Sequence, residues 1–263
     1  MTSSTHTLST DALGGTDITV TVAEYGSGRP FLLLHGGGGP QSVTAFGELL
    51  AGNKDVRVVV PIHPGFSGTT RPDSLSSVAG LAALYVSLLE EMDLKDVTVL
   101  GNSIGGWIAA EMAALNSPRI GRLIVIDAAG LDVPGHPVAD FFSLTMDQVS
   151  QLSYHDPEKF GVDLTKLPPA AQAAIPGNRD SLAVYAGTTM VDPALADRLT
   201  TISVPTLVLW GDADRIVDVE YGRAYAAAIP GAEFQLLPET GHLPQIETPE
   251  QVLTASWDFV SMH

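Results

Sequence analysis

The stretch Val97-Thr98-Val99-Leu100-Gly101-Asn102-Ser103-Ile104-Gly105-Gly106-Trp107-Ile108-Ala109-Ala110 decides the reading of this chain. Val97 to Leu100 is a short continuous apolar run, the pattern of a strand buried on both faces. A helical pattern opens at Ile104 and runs to about Leu115. Between them a serine sits on a sharp strand-to-helix turn flanked two residues away by Gly101 and Gly105. Such a turn forces a strained backbone, and side chains at those flanking positions would collide. It also puts Ser103 at a helix N-terminus, where unspent N–H groups favour developing negative charge. A serine that merely caps a helix would look the same over six residues; the rest of the chain has to separate the two.

Outward from this turn the rhythm is strand, helix, strand. Upstream come an alternating strand over 17–23, suited to a position near a sheet edge, then apolar strands at Phe31–Leu34 and Val56–Val60. Helical spacing covers Thr44–Ala51 and Leu75–Met92. Downstream come a strand at Leu123–Ile126, a strand at Thr206–Trp210, a helix near Val219–Ala228, a strand at Glu233–Leu237 and a helix at Pro249–Val260. This order predicts an α/β fold with a mostly parallel central sheet flanked by helices. The stretch 131–194 breaks the rhythm with Pro134, Pro137, Pro157, Pro168, Pro169 and Pro176 and with short helical pieces at Ala139–Phe142 and Met146–Leu152. It is expected to be a helical lid inserted into a core formed by 1–130 and 195–263.

Composition narrows the function classes. The chain of 263 residues is 45% hydrophobic and 16% charged, which suits a globular domain with a large core. Thirteen Lys and Arg against 30 Asp and Glu give a formal charge of −17, so nucleic acid and anionic membranes would be repelled. No cysteine is present, which excludes disulfides, thiolate metal sites and thiol nucleophiles. A start without a basic segment and apolar stretch, and no apolar run near 18 residues, predict a cytoplasmic protein. The expected partner is a small-molecule substrate, without metal or cofactor; a monomer and a homodimer both stay open.

Four further motifs accompany the serine turn: His35-Gly36-Gly37-Gly38-Gly39-Pro40, Pro64-Gly65-Phe66-Ser67-Gly68, Trp210-Gly211-Asp212-Ala213-Asp214 and Thr240-Gly241-His242. Together and in this order they resemble the α/β-hydrolase superfamily over nearly the whole chain. The resemblance implies a serine hydrolase with Ser103 as nucleophile and backbone N–H groups of Ile104 and Gly37 as the oxyanion hole. It implies His242 as the base, since the other six histidines lie at termini, in the insertion or in loops after earlier strands. It also implies Asp214 as the acid in preference to Asp212, with Asp127 as another placement. Haloalkane dehalogenases and epoxide hydrolases, which share the fold, need an aspartate where Ser103 stands.

The elbow Gly101-Asn102-Ser103-Ile104-Gly105-Gly106 is similar to that of hydrolases that cleave carbon–carbon bonds in ring-opened aromatic diketo acids. Those enzymes meet the substrate carboxylate with an arginine of the lid, and Arg179 is the only arginine within 131–194. A surface arginine paired with a carboxylate is the competing account of Arg179. Leu243 stands where many such enzymes carry an aromatic residue after the histidine, which ranks a small carboxylic ester or lactone first as substrate and carbon–carbon cleavage second. A ligand-sensing protein on a hydrolase fold is the reading from another class. Asn102, Phe141, Phe142, Arg179 and Leu243 are the candidate substrate contacts.

Overall fold

A computed structural model describes residues 1–9 and 14–263. The chain begins with strands β1 (Thr2–Leu8), β2 (Ile18–Gly26) and β3 (Arg29–Leu34), then helix α1 (Gln41–Asn53) and β4 (Val56–Pro61). It continues through α2 (Val78–Glu91), β5 (Val97–Asn102), α3 (Ile104–Ala114) and β6 (Ile120–Ile126). The insertion carries α4 (Met146–Ser153), α5 (Pro157–Phe160), a 3-10 turn at Leu164–Lys166 and α6 (Pro169–Ala186). The chain closes with α7 (Leu195–Leu199), β7 (Thr206–Gly211), α8 (Val219–Ala228), β8 (Glu233–Leu237), α9 (Pro244–Glu247) and α10 (Pro249–Met262). No helix among the described residues is long and apolar enough to cross a membrane.

The strands form one eight-stranded sheet in the order β1-β2-β4-β3-β5-β6-β7-β8. β1 and β2 pair antiparallel, as do β2 and β4, and every later pairing is parallel. The central strands alternate strictly between two apolar cores. Leu32, Leu34, Val99, Leu123, Val125, Val208 and Trp210 face the layer of α2, α3 and α8. Phe31, Leu33, Leu100, Ile124, Ile126, Leu207 and Leu209 face α1 and α10. Burial on both faces is why these strands read as continuous apolar runs.

β3 lies between β4 and β5, so the chain leaves β3 toward one neighbour and returns to β5 on the other side. The loops after these two strands diverge there, opening a crevice at their C-terminal ends. The expected glycine loop and serine turn flank that crevice.

Three elements differ from the sequence reading. β1 is an additional strand outside β2, and its run of Ser, Thr and His is mostly exposed, which leaves no hydrophobic alternation to read. Ala139–Phe142, expected as helical, is a turn, because the carbonyls of Phe141, Phe142 and Leu144 are drawn to the Arg179 guanidinium instead of to a helical ladder. α6 runs 18 residues through Pro176, a residue that removes one ladder bond and normally breaks a helix. Burial of Leu182 and Tyr185 on its inner face, with Tyr185 donating to the Pro64 carbonyl at 2.8 Å, holds it together. Where the insertion leaves and rejoins the core, Gly130 and Val191 bridge, with Asp192 N–H donating to the Gly130 carbonyl at 2.7 Å.

Candidate active site

Ser103 sits between β5 and α3 with φ 59° and ψ −125°, a left-handed conformation that non-glycine residues rarely adopt. Its N–H donates to the Ile126 carbonyl at 3.0 Å, and its own carbonyl accepts the Trp107 N–H at 3.1 Å, pinning the turn between β6 and the first turn of α3. A Cβ on Gly101 would strike the Gly105 carbonyl, and one on Gly105 would strike the Leu34 carbonyl and come within 2.6 Å of the His35 carbonyl oxygen. These neighbours are backbone and cannot move aside, so both glycines are required by the close approach. The Ser103 hydroxyl makes no capping bond to α3. It faces His242 Nε2 at 3.0 Å, across 139 residues of sequence.

His242 follows β8, and its Nδ1 lies 2.8 Å from Asp214 Oδ2. The second Asp214 oxygen accepts the Ile216 N–H at 2.8 Å and the Val217 N–H at 3.2 Å, which fixes the carboxylate plane. Ser103, His242 and Asp214 are 7%, 6% and 4% exposed, so the three polar groups meet in a largely dehydrated place. Asp212 turns away: it is exposed, and its Oδ1 accepts the Thr240 N–H at 3.2 Å. Asp127, at the end of β6, is fully buried and takes the Gly211 N–H at 2.9 Å. Burial, and then the neighbouring Asp214 charge, push its carboxyl well above the usual range, which favours the protonated form.

The glycine loop after β3 is fixed by a pair of buried histidines. His63 N–H donates to His35 Nε2 at 3.1 Å, so the proton of the neutral His35 ring is on Nδ1, facing the Gly36 carbonyl at 2.8 Å. His63 Nε2 in turn reaches the His35 carbonyl at 2.9 Å, and its Nδ1 meets the Tyr85 hydroxyl at 2.5 Å. The two ring centroids lie 3.6 Å apart with their planes tilted by 31°. Burial lowers the His35 pKa to about 4 and holds the His63 pKa well below the usual range, the latter also through His35. Beside Ser103, the N–H groups of Gly37 and Ile104 have no protein acceptor among the described residues.

The site opens into a cavity of about 350 Å³ lined by Gly37, Ser103, His242 and mainly apolar side chains, among them Met146, Val149, Tyr154, Leu182 and Met190 from the stretch 131–194. Among the described residues no Asp or Glu lines it, although the chain carries 30 of them.

The profile of the Alpha/beta hydrolase family matches residues 31–255. The chain belongs to this family. The chain is 28% identical over 243 residues to a 2-hydroxymuconate semialdehyde hydrolase of Pseudomonas putida, covering 87% of this chain and 85% of that one. It is 27% identical over 235 residues to Lipase 3 of Moraxella sp. (strain TA144), covering 84% and 74%. A thermophilic esterase from Thermogutta terrifontis superposes with a TM-score of 0.78 at 25% identity over 98% of both chains.

In this α/β hydrolase the expected substrate contacts divide. Phe141, Arg179 and Leu243 line the cavity. Asn102 does not: it is fully buried, its amide donates to the His242 carbonyl at 2.9 Å, and its oxygen accepts from Gln245 at 3.1 Å. It ties the serine turn to the histidine loop instead of facing a ligand. Phe142 also lies outside the lining and packs edge-on against Phe141 at 5.4 Å. Arg179 is not free, and among the described residues no carboxylate pairs with it. Its Nη2 donates to the carbonyls of Phe141, Phe142 and Leu144 at 3.0, 2.6 and 3.2 Å, and its guanidinium lies over both phenyl rings. Gln41, Ser42 and Asn178 also line the cavity, and Glu247 anchors the histidine loop. None of these four stands in a motif, so no sequence signal points to them.

Proposed function

We propose that this α/β hydrolase cleaves small, neutral, largely apolar carboxylic esters through a Ser103–His242–Asp214 triad. The observation that carries the reading is the unbroken line from the Ser103 hydroxyl to His242 Nε2 at 3.0 Å and from His242 Nδ1 to Asp214 at 2.8 Å, opening on a cavity that no carboxylate lines among the described residues.

His242 takes the Ser103 proton as the oxygen attacks the ester carbonyl, and Asp214 holds the imidazole in the tautomer that presents Nε2 as acceptor. The oxyanion that forms accepts from the unspent N–H groups of Gly37 and Ile104; one such donor contributes about 2.7–4 kcal/mol in comparable sites. The imidazolium then gives its proton to the departing alkoxide, leaving an acyl group on Ser103. Water, deprotonated by the same histidine, releases the acid and restores the hydroxyl. An apolar acyl or alcohol portion gains about 25 cal/mol for each Å² it buries against the insertion.

Carbon–carbon cleavage is the second reading, favoured by Arg179 at the cavity wall and by the similarity to the Pseudomonas putida hydrolase. Three carbonyls and two aromatic faces already meet the Arg179 charge, which ranks esters first. The test compares p-nitrophenyl acetate and butyrate with a ring-opened catechol derivative. Wild type is expected to turn over the esters, Ser103→Ala to abolish that, and Arg179→Ala to leave most of it. Turnover of the acid substrate alone, lost in Arg179→Ala, would reverse the ranking.

A further inference from the structure

The C-terminal end of α4 is bonded directly to the two loops that carry Asp214 and His242. The Ser153 carbonyl accepts the His242 N–H at 2.7 Å, and the Leu152 carbonyl accepts the Arg215 N–H at 3.2 Å. The Arg215 guanidinium, one residue past Asp214, donates to the carbonyls of Gln151 and, at 3.1 Å, of Tyr154. From the other side Glu247, the last residue of α9, collects three backbone N–H groups. Its Oε2 accepts from Gly241 at 2.7 Å and from His155 at 3.1 Å, and its Oε1 accepts from Asp156 at 2.8 Å. Glu247 is only 8% exposed, so these bonds stand in for lost water contacts.

One carboxylate therefore grips the residue before His242 and the two residues after Tyr154, whose ring lines the cavity. The backbones it joins are already in close contact: a Cβ on Gly241 would come within 2.8 Å of Tyr154 Cα. Catalytic geometry is unforgiving, and a displacement of about 1 Å costs on the order of 10²-fold in rate.

We infer that Glu247 is a positioning residue: it clamps the 153–156 segment of the insertion to the histidine loop, so that core and insertion together set the His242 imidazole against Ser103. The inference rests on the serine-hydrolase reading. Under it, the end of α4 is part of what aims the base and does not swing away as a detachable cover.

Glutamine at 247 would retain one oxygen and turn an amide toward an N–H, leaving at least one of the three donors without an acceptor. The experiment measures kcat and KM for p-nitrophenyl acetate and octanoate, and the downfield imidazole Nδ1–H proton resonance assigned to His242 by its loss in His242→Ala. In Glu247→Gln, kcat is expected to fall about tenfold or more on both esters with KM little changed, and the resonance to broaden or vanish. Unchanged kcat with an unchanged resonance would overturn the inference. So would a loss confined to KM for the octanoate, which would make Glu247 a support for the pocket wall only. If Glu247→Gln does not fold, Arg215→Gln, at an exposed position, is expected to move both readouts in the same direction, and its failure to do so overturns the clamp. The resonance needs no turnover, so a wild type that shows it without hydrolysing either ester refutes the substrate reading and leaves the clamp testable by Glu247→Gln.

Discussion

Replacing His35 with glutamine should flatten the acid side of the stability curve. His35 is fully buried, accepts the His63 N–H on Nε2, and has its pKa lowered to about 4 by burial. Protonating that nitrogen would set two N–H groups against each other in a dry interior. The unfolded chain has no such obstacle and takes up the proton near pH 6.5. A histidine with a depressed folded pKa supplies stability that is complete above pH 6.5 and is lost as pH falls toward about 4. At about 1.4 kcal/mol per pH unit the full window amounts to about 3 kcal/mol, of which about 2 kcal/mol falls between pH 7 and pH 5. Glutamine keeps an acceptor for the His63 N–H but cannot be protonated. The assay is urea unfolding of wild type and His35→Gln at pH 7 and pH 5, comparing each protein with itself so that the other titrating groups cancel. The wild type should lose about 2 kcal/mol more than the variant between the two pH values. An equal loss in both would refute the assignment of a neutral, hydrogen-bonded His35 to the glycine loop.

Two further substitutions test the site. Asp127→Asn keeps an acceptor for the Gly211 N–H and should leave kcat close to wild type, because it is Asp214 that meets His242 Nδ1. Its folded pKa is raised, so its contribution is present below about pH 4 and is lost as pH rises; the variant should therefore gain stability over wild type in urea unfolding as pH rises above that value. Collapse of turnover in Asp127→Asn would instead make it the working acid. Gly105→Ala drives a Cβ into the Leu34 and His35 carbonyls and should cost about 1–3 kcal/mol together with labelling of Ser103 by a fluorophosphonate; unaltered stability and labelling would contradict the packing of the elbow.

Much of the fold was legible along the chain. Strands β3 to β7 announce themselves because both faces are buried and their central residues are mostly Val, Leu and Ile. The elbow is legible because only glycine fits where backbone meets backbone at Gly101 and Gly105. β1 escaped because a mostly exposed strand of Ser and Thr has no hydrophobic period, and α6 because Pro176 argues locally against the helix that Leu182 and Tyr185 hold by packing.

For the site, the local sequence by itself determined the family, the serine on its strained turn, the glycine loop and the histidine after the last strand. Each is a property of a few adjacent residues and the steric limits on their backbone. Only the tertiary structure shows which of Asp127, Asp212 and Asp214 faces His242, since all three close core strands or begin the loops after them, and direction alone distinguishes them. It also took Asn102 out of the substrate's reach, surrounded Arg179 with carbonyls, and brought Glu247 to the insertion across 91 and 92 residues. Such roles depend on which groups meet after the sheet has assembled, and no local pattern records that.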